Sequence, residues 1–176
     1  MLLSHKTSIK ICPEYSNIIG HMCYAASKLW NICNYERRHY KELGLEKYPD
    51  WYYQKKAHKG NLWYKQLPSQ TAQETCKQLD KAWKSFYILK KTGGIKDPNP
   101  PRFKQDNIPV TYMQMGIRHE KGSDRLRLSL PKNLKSYMEE TYGIHEKFLY
   151  LENKIFRGMD HIKQLRIYPP ENGKCD

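Results

Sequence analysis

At 176 residues and 39% hydrophobic content the chain can bury a real core, and 31 lysines and arginines against 18 aspartates and glutamates give it a net charge of +13. No stretch approaches the roughly 20 apolar residues of a membrane span and the amino terminus lacks the apolar core of a signal peptide, so no membrane partner is expected and a cytoplasmic, nucleoid-associated protein is. The five cysteines, Cys12, Cys23, Cys33, Cys76 and Cys175, stand ten or more residues apart, which leaves zinc binding without support; Cys23, Cys33 and Cys76 read as small core residues.

Leu3 to Ile11 alternates, with Thr7, Ile9 and Ile11 on one side and Lys6, Ser8 and Lys10 on the other, which predicts a strand with one wet face. Pro13 ends it. From Glu14 to about Leu43 the period becomes helical through Ile18, Met22, Ala25 or Ala26, Leu29 and Cys33, with Gly44 as terminator. A short basic helix is expected over Trp51 to His58, closed by Gly60. A long one begins near Pro68, a residue suited to a first turn.

That long helix carries two stripes. Ala72, Cys76, Leu79, Trp83 and Phe86 form a core seam, while Ser69, Gln73, Lys77, Asp80 and Lys84 repeat at helical spacing as a polar face with two lysines. After Lys91 the run TGGIKDPNPPRFK reads as a loop and a junction. Strands return over Val110 to Ile117 and over Arg125 to Leu130, where Leu126, Leu128 and Leu130 share a side and Pro131 stops the run. Leu134 to Phe156 is less periodic and more acidic, with room for one short helix. Ile162 to Tyr168 is a strand leading to Asn172-Gly173, a strong hairpin signal. Only three residues follow that turn, so an incomplete hairpin is expected.

Strand, helices, strands is the order of an α+β fold: a small antiparallel β-barrel interrupted by an inserted helical bundle. The domains expected are residues 1–13 as the first barrel strand, 14–98 as the helical insertion and 99–176 as the remaining strands. Charge follows the helices. Between Lys28 and Lys104 there are 17 basic and 7 acidic residues, which places +10 of the +13 in less than half the chain. With 14 tyrosines and 4 tryptophans available, that concentration points to a polyanion, since cations hold phosphates and aromatic faces stack on bases.

Six motifs occur in a recognisable order: the strand running into Pro13, YAASKLWNICNYE (Tyr24 to Glu36), LPSQTAQETCKQLDKAWKSFY (Leu67 to Tyr87), PPRFK (Pro100 to Lys104), LRLSLPK (Leu126 to Lys132) and IKQLRIYPPENGK (Ile162 to Lys174). Across essentially the whole chain this order resembles the amino-terminal half of TnpB, the OrfB protein of insertion sequences, related to miniature type V CRISPR effectors. The resemblance implies an RNA-guided DNA endonuclease with a barrel-like, OB-like wedge domain, a helical recognition domain and, beyond them, a RuvC-like nuclease domain with a zinc ribbon.

No RuvC-like segment follows Asp176 in this sequence, so the expectation is a chain that binds guide RNA and target-adjacent double-stranded DNA but does not itself cut. It carries no catalytic or metal-binding residues and no cofactor. Divalent metal and zinc belong on this reading to the missing nuclease part, supplied by the same or another polypeptide.

By the same resemblance Ser69, Gln70, Gln73 and Lys77 contact the duplex beside the target, joined by Trp51, Tyr52 and Lys55 and by Tyr112 and Gln114. Glutamine suits an adenine edge, lysine a phosphate or guanine. Arg102 and Lys104 match a phosphate-contacting loop, and Phe103 is expected to pack. Lys6, Lys10, Arg125, Arg127 and Arg166, on the polar faces of strands, are candidates for guide RNA. Two other classes are weighed: a stand-alone nucleic-acid-binding regulator of the same descent, which would bind DNA without RNA, and an enzyme. The seven histidines are scattered and no nucleophile motif or glycine-rich phosphate loop occurs, which disfavours the enzyme.

Overall fold

The computed structural model describes residues 2–176. Strand β1 (Ile9–Lys10) is followed by helices α1 (Pro13–Arg38), α2 (Trp51–Ala57), α3 (Leu62–Lys65) and α4 (Ser69–Thr92). Then come β2 (Val110–Met113), β3 (Ile117–His119), β4 (Arg125–Ser129), α5 (Lys132–Tyr142), β5 (Phe148–Glu152), β6 (Gln164–Ile167) and β7 (Lys174–Cys175). The fold is α+β with small antiparallel sheets.

Helix α1 begins at a proline, whose missing N–H is one of the unpaired donors of a first turn. Its expected apolar stripe is buried throughout: Ile18, Met22, Ala25, Ala26, Leu29 and Cys33 are all at most 1% exposed. The helix stops at Arg38, five residues before the expected end, and irregular turns carry the chain on to Gly44. Helix α4 buries Ala72, Cys76, Leu79 and Trp83, with Phe86 half-buried at the end of the seam. The two long helices pack face to face, bringing Cys33 Sγ and Cys76 Sγ to 4.0 Å.

The strands pair as three sheets, β1–β7, β2–β6 and β3–β4–β5, and among the described residues these pairings do not close a barrel. Two local causes are visible. The first strand has two residues in place of the expected nine. The expected strand over Val110–Ile117 is broken by a 3-10 turn at Gln114–Gly116, so its two halves serve different sheets. The turn is tight: a Cβ on Gly116 would lie 3.1 Å from the Tyr112 ring and 3.2 Å from Ser129 Oγ. Phe148–Glu152, expected only as part of a weakly periodic segment, is a full strand with Leu149 and Leu151 buried.

The turn expected at Asn172-Gly173 forms. Asn172 and Gly173 both have positive φ, 51° and 73°, as a two-residue type I′ turn requires, and Glu171 and Lys174 exchange backbone hydrogen bonds across it. Beyond the turn β7 pairs with β1, Cys175 opposite Ile9, and Tyr168 N donates to Asp176 O.

The loop read as a junction is a strap along α1. Asn34 donates to Pro101 O at 3.0 Å, Trp30 Nε1 to Arg102 O at 3.1 Å, and Asn31 both donates to Lys104 O (2.8 Å) and accepts from Lys104 N (2.7 Å). Ile108 N donates to Cys23 O, about two turns back along the helix from Trp30. Proline and glycine kept this segment out of a helix, and asparagine side chains from α1 supply the backbone partners it then lacks.

Candidate nucleic-acid interface

Helix α2 buries only Gln54 fully, with Trp51 half-buried against the core, so polar bonds fix much of its position. Gln54 accepts from Arg37 Nε (2.9 Å) and donates to Cys33 O (2.9 Å) and to Glu36 Oε1 (3.1 Å). Arg37 Nη2 reaches Asp80 Oδ1 at 2.7 Å, and the same oxygen accepts from Trp51 N at 3.3 Å. His58 Nε2 lies 3.1 Å from Glu36 Oε1. Asp80 thus departs from the expected wet stripe: it is 3% exposed, an ion-pair partner and a cap for α2. Burial of a carboxylate beside Arg37 is tolerated because both charges are hydrogen-bonded, with Lys84 adding a second contact at 2.8 Å.

Burial works to raise the pKa of both Asp80 and Glu36, but their partners outweigh it: Lys84 and Arg37 hold Asp80 below its ordinary 3.8, and His58 and Gln54 hold Glu36 below 4.5. A depressed carboxylate contributes stability that is complete above its unfolded value and is lost as pH falls through the folded one. The α2 anchor is therefore expected to hold at pH 5 and above and to weaken below pH 4.5 to 3.8. The indole N–H NMR signal of Trp51 followed through an acid titration measures this, and a signal unchanged down to acid unfolding of the whole chain would contradict it.

On this anchored scaffold the expected duplex contacts fall into a connected surface. Lys55 Nζ sits 4.9 Å from the Trp51 ring centroid and 4.6 Å from that of Tyr52, and Lys77 Nζ of α4 lies 5.1 Å from Trp51. Four candidates predicted from two helices are thus brought together. Lys56, not singled out from the sequence, joins them 4.3 Å from Tyr52. One turn up α4, Ser69 is exposed and Gln73 half-buried, with Gln73 Nε2 3.4 Å from Ser69 Oγ. Gln70 donates to Met115 Sδ across a cleft of about 140 Å³ lined also by Pro68, Thr71 and Gly116. Gln114 is exposed in the 3-10 turn beside that cleft, not in a strand as expected.

Tyr112 must be corrected. It is 1% exposed, its hydroxyl donates to Ser129 O at 2.9 Å, and burial drives its phenol far above the ordinary value. On a strand whose first three residues are all buried, it has no face to offer a duplex.

The strap presents Arg102 and Lys104 as exposed side chains on a backbone pinned to α1, with Lys104 Nζ 4.7 Å from the Trp30 ring. Phe103, expected to pack, is 42% exposed, and the Arg38 guanidinium covers its ring at 4.9 Å. The candidates for guide RNA are less unified. Lys6 pairs with Asp176 at 3.6 Å and lies over Tyr168; Lys10 and Arg166 are exposed on β1 and β6; Arg125 and Arg127 share the outer face of the three-stranded sheet. No protein-family model matches the chain, and no curated protein matches it. The TnpB resemblance therefore rests on the order of the six motifs.

Electrostatically the interface is cationic with aromatic surfaces already held by the cations. Such an arrangement can grip phosphates while leaving ring faces exchangeable with bases. Nothing in it resembles a nucleophile with a base in reach. No helix among the described residues is long and apolar enough to cross a membrane.

Proposed function

We propose that this chain carries the guide-RNA-binding and target-adjacent-DNA-binding part of a TnpB-like, transposon-encoded RNA-guided endonuclease. The single observation that carries the reading is the convergence of Trp51, Tyr52, Lys55 and Lys77 from two helices into one cation–aromatic cluster, continuous along α4 with Gln73 and Ser69. Support also comes from the topology: β1 pairs with β7, so the helices over Pro13–Thr92 are an insertion within β structure. On this reading those helices are the recognition domain and the sheets the wedge, whose barrel would need pairings beyond the three sheets seen.

Guide RNA transcribed beside the gene should bind more tightly than unrelated RNA of equal length at matched salt, measured by fluorescence anisotropy. Equal affinity removes the guide from the proposal. Binding of duplex DNA with no RNA present would instead favour a stand-alone regulator.

Gln73→Ala is expected to weaken binding to one target-adjacent sequence by about 1–3 kcal/mol and to leave RNA binding intact. A loss spread evenly over all duplexes would show that Gln73 supports the backbone contact or the fold. The variant itself should fold normally, since an exposed or half-exposed helical glutamine contributes little beyond its helix propensity.

A further inference from the structure

The sheet β3–β4–β5 has two unlike faces. One carries Ile117, Leu126, Leu128, Leu149 and Leu151, all buried in the core. The other carries Arg118, Arg125, Arg127, Phe148, Tyr150 and Glu152, because side chains alternate along each strand and cross-strand partners share a face.

Each arginine of β4 leans on the diagonal aromatic of β5: Arg125 stacks over Tyr150 at 3.9 Å and Arg127 over Phe148 at 4.3 Å. Lys135 of α5 approaches Phe148 from 5.8 Å. Four cations therefore meet one carboxylate, Glu152, and that one is engaged with Arg125 at 3.7 Å.

Arg118 and Arg127 are direct cross-strand partners. Like charges in that register repel, and among the described residues neither has a carboxylate within ion-pair distance. Stacking satisfies the plane of the Arg127 guanidinium but not its edge: Nε is buried with no hydrogen-bond partner. A buried donor left empty beside an unneutralised second arginine is a cost that the fold itself does not offset. An oxyanion between the outer ends of the two guanidinium groups would neutralise the repulsion, and a planar donor fork matches a phosphate oxygen pair.

We propose that Arg118 and Arg127 form the seat of a backbone phosphate of single-stranded nucleic acid, with Tyr150 and Phe148 beside it as base-stacking surfaces. The inference rests on the RNA-binding reading above and adds its location, its ligand chemistry and a residue, Arg118, that sequence alone did not mark. A duplex is the poorer occupant, because its bases are already stacked and cannot use the two rings.

The test uses the full chain with a short labelled oligouridylate, in anisotropy titrations over several salt concentrations. Arg118→Gln and Arg127→Gln should each weaken binding roughly tenfold and flatten the slope of log affinity against log salt by about 1. Lys41→Gln, which removes an equal charge from the turn after α1, should do far less. Without nucleic acid, Arg118→Gln should melt about 1–2 °C higher than the parent, because a repulsive pair is gone.

Parent protein that binds the RNA while both arginine variants bind it equally well overturns the seat and leaves the RNA-binding reading in place. Parent protein that binds no RNA, yet is stabilised by inorganic phosphate in a way Arg118→Gln abolishes, overturns the nucleic-acid occupant and the functional reading together. Absence of both responses overturns the seat itself.

Discussion

Asp80→Ala is expected to destabilise the protein by about 3–5 kcal/mol, the usual cost of stranding one partner of a buried ion pair. Arg37, only 2% exposed, would keep its charge with nothing opposite its Nη2, and Trp51 N at the start of α2 would lose its cap. At roughly 2–4 °C per kcal/mol for a chain of this size, the melting temperature should fall by about 10 °C. Asp80→Asn should cost less, since an amide oxygen can still accept from Arg37 and Trp51. A calorimetric shift under about 2 °C for the alanine variant would show that water or Glu36 compensates, and the anchoring role would be wrong. The consequence reaches the candidate interface as well: α2 carries Trp51, Tyr52 and Lys55, so on the proposed function a loosened anchor should also weaken DNA binding without any proposed contact residue having changed.

Tyr112 gives the second large effect. Tyr112→Ala empties a site buried in the core and should cost about 3–5 kcal/mol. Tyr112→Phe removes only the bond to Ser129 O and should cost about 1 kcal/mol. The phenylalanine variant separates the two roles open to this residue. Folded and binding duplex DNA like the parent, it confirms a packing role. A folded phenylalanine variant with a tenfold or greater loss of DNA affinity would restore Tyr112 as a contact and overturn the correction made from its burial.

Much of the local structure was legible. The helical periods of α1 and α4, the leucine side of β4 and the Asn172-Gly173 turn were read from spacing alone, because each depends on residues within a few positions of one another. Phe148–Glu152 is harder to read, since FLYLE is short, ends on a charged residue of its own, Glu152, and is flanked by Glu146, Lys147 and Lys154, which blur its alternation. In the candidate interface, Lys77, Trp51, Tyr52 and Lys55 were named individually, but the distances that make them one cluster depend on how α2 docks against α4.

The α+β order, the two long amphipathic helices, the Asn172-Gly173 turn and a basic, aromatic-rich composition all follow from residue content and local pattern. Docking and strand register are what turn Asp80 inward to Arg37 while its stripe neighbours stay out, place Tyr112 in the core, bind PPRFK along α1 and set Arg118 opposite Arg127. The physical reason is common to all four: a side chain's partner there comes from a different element, and desolvation or charge pairing across elements is fixed by docking and register, which a one-dimensional pattern does not contain.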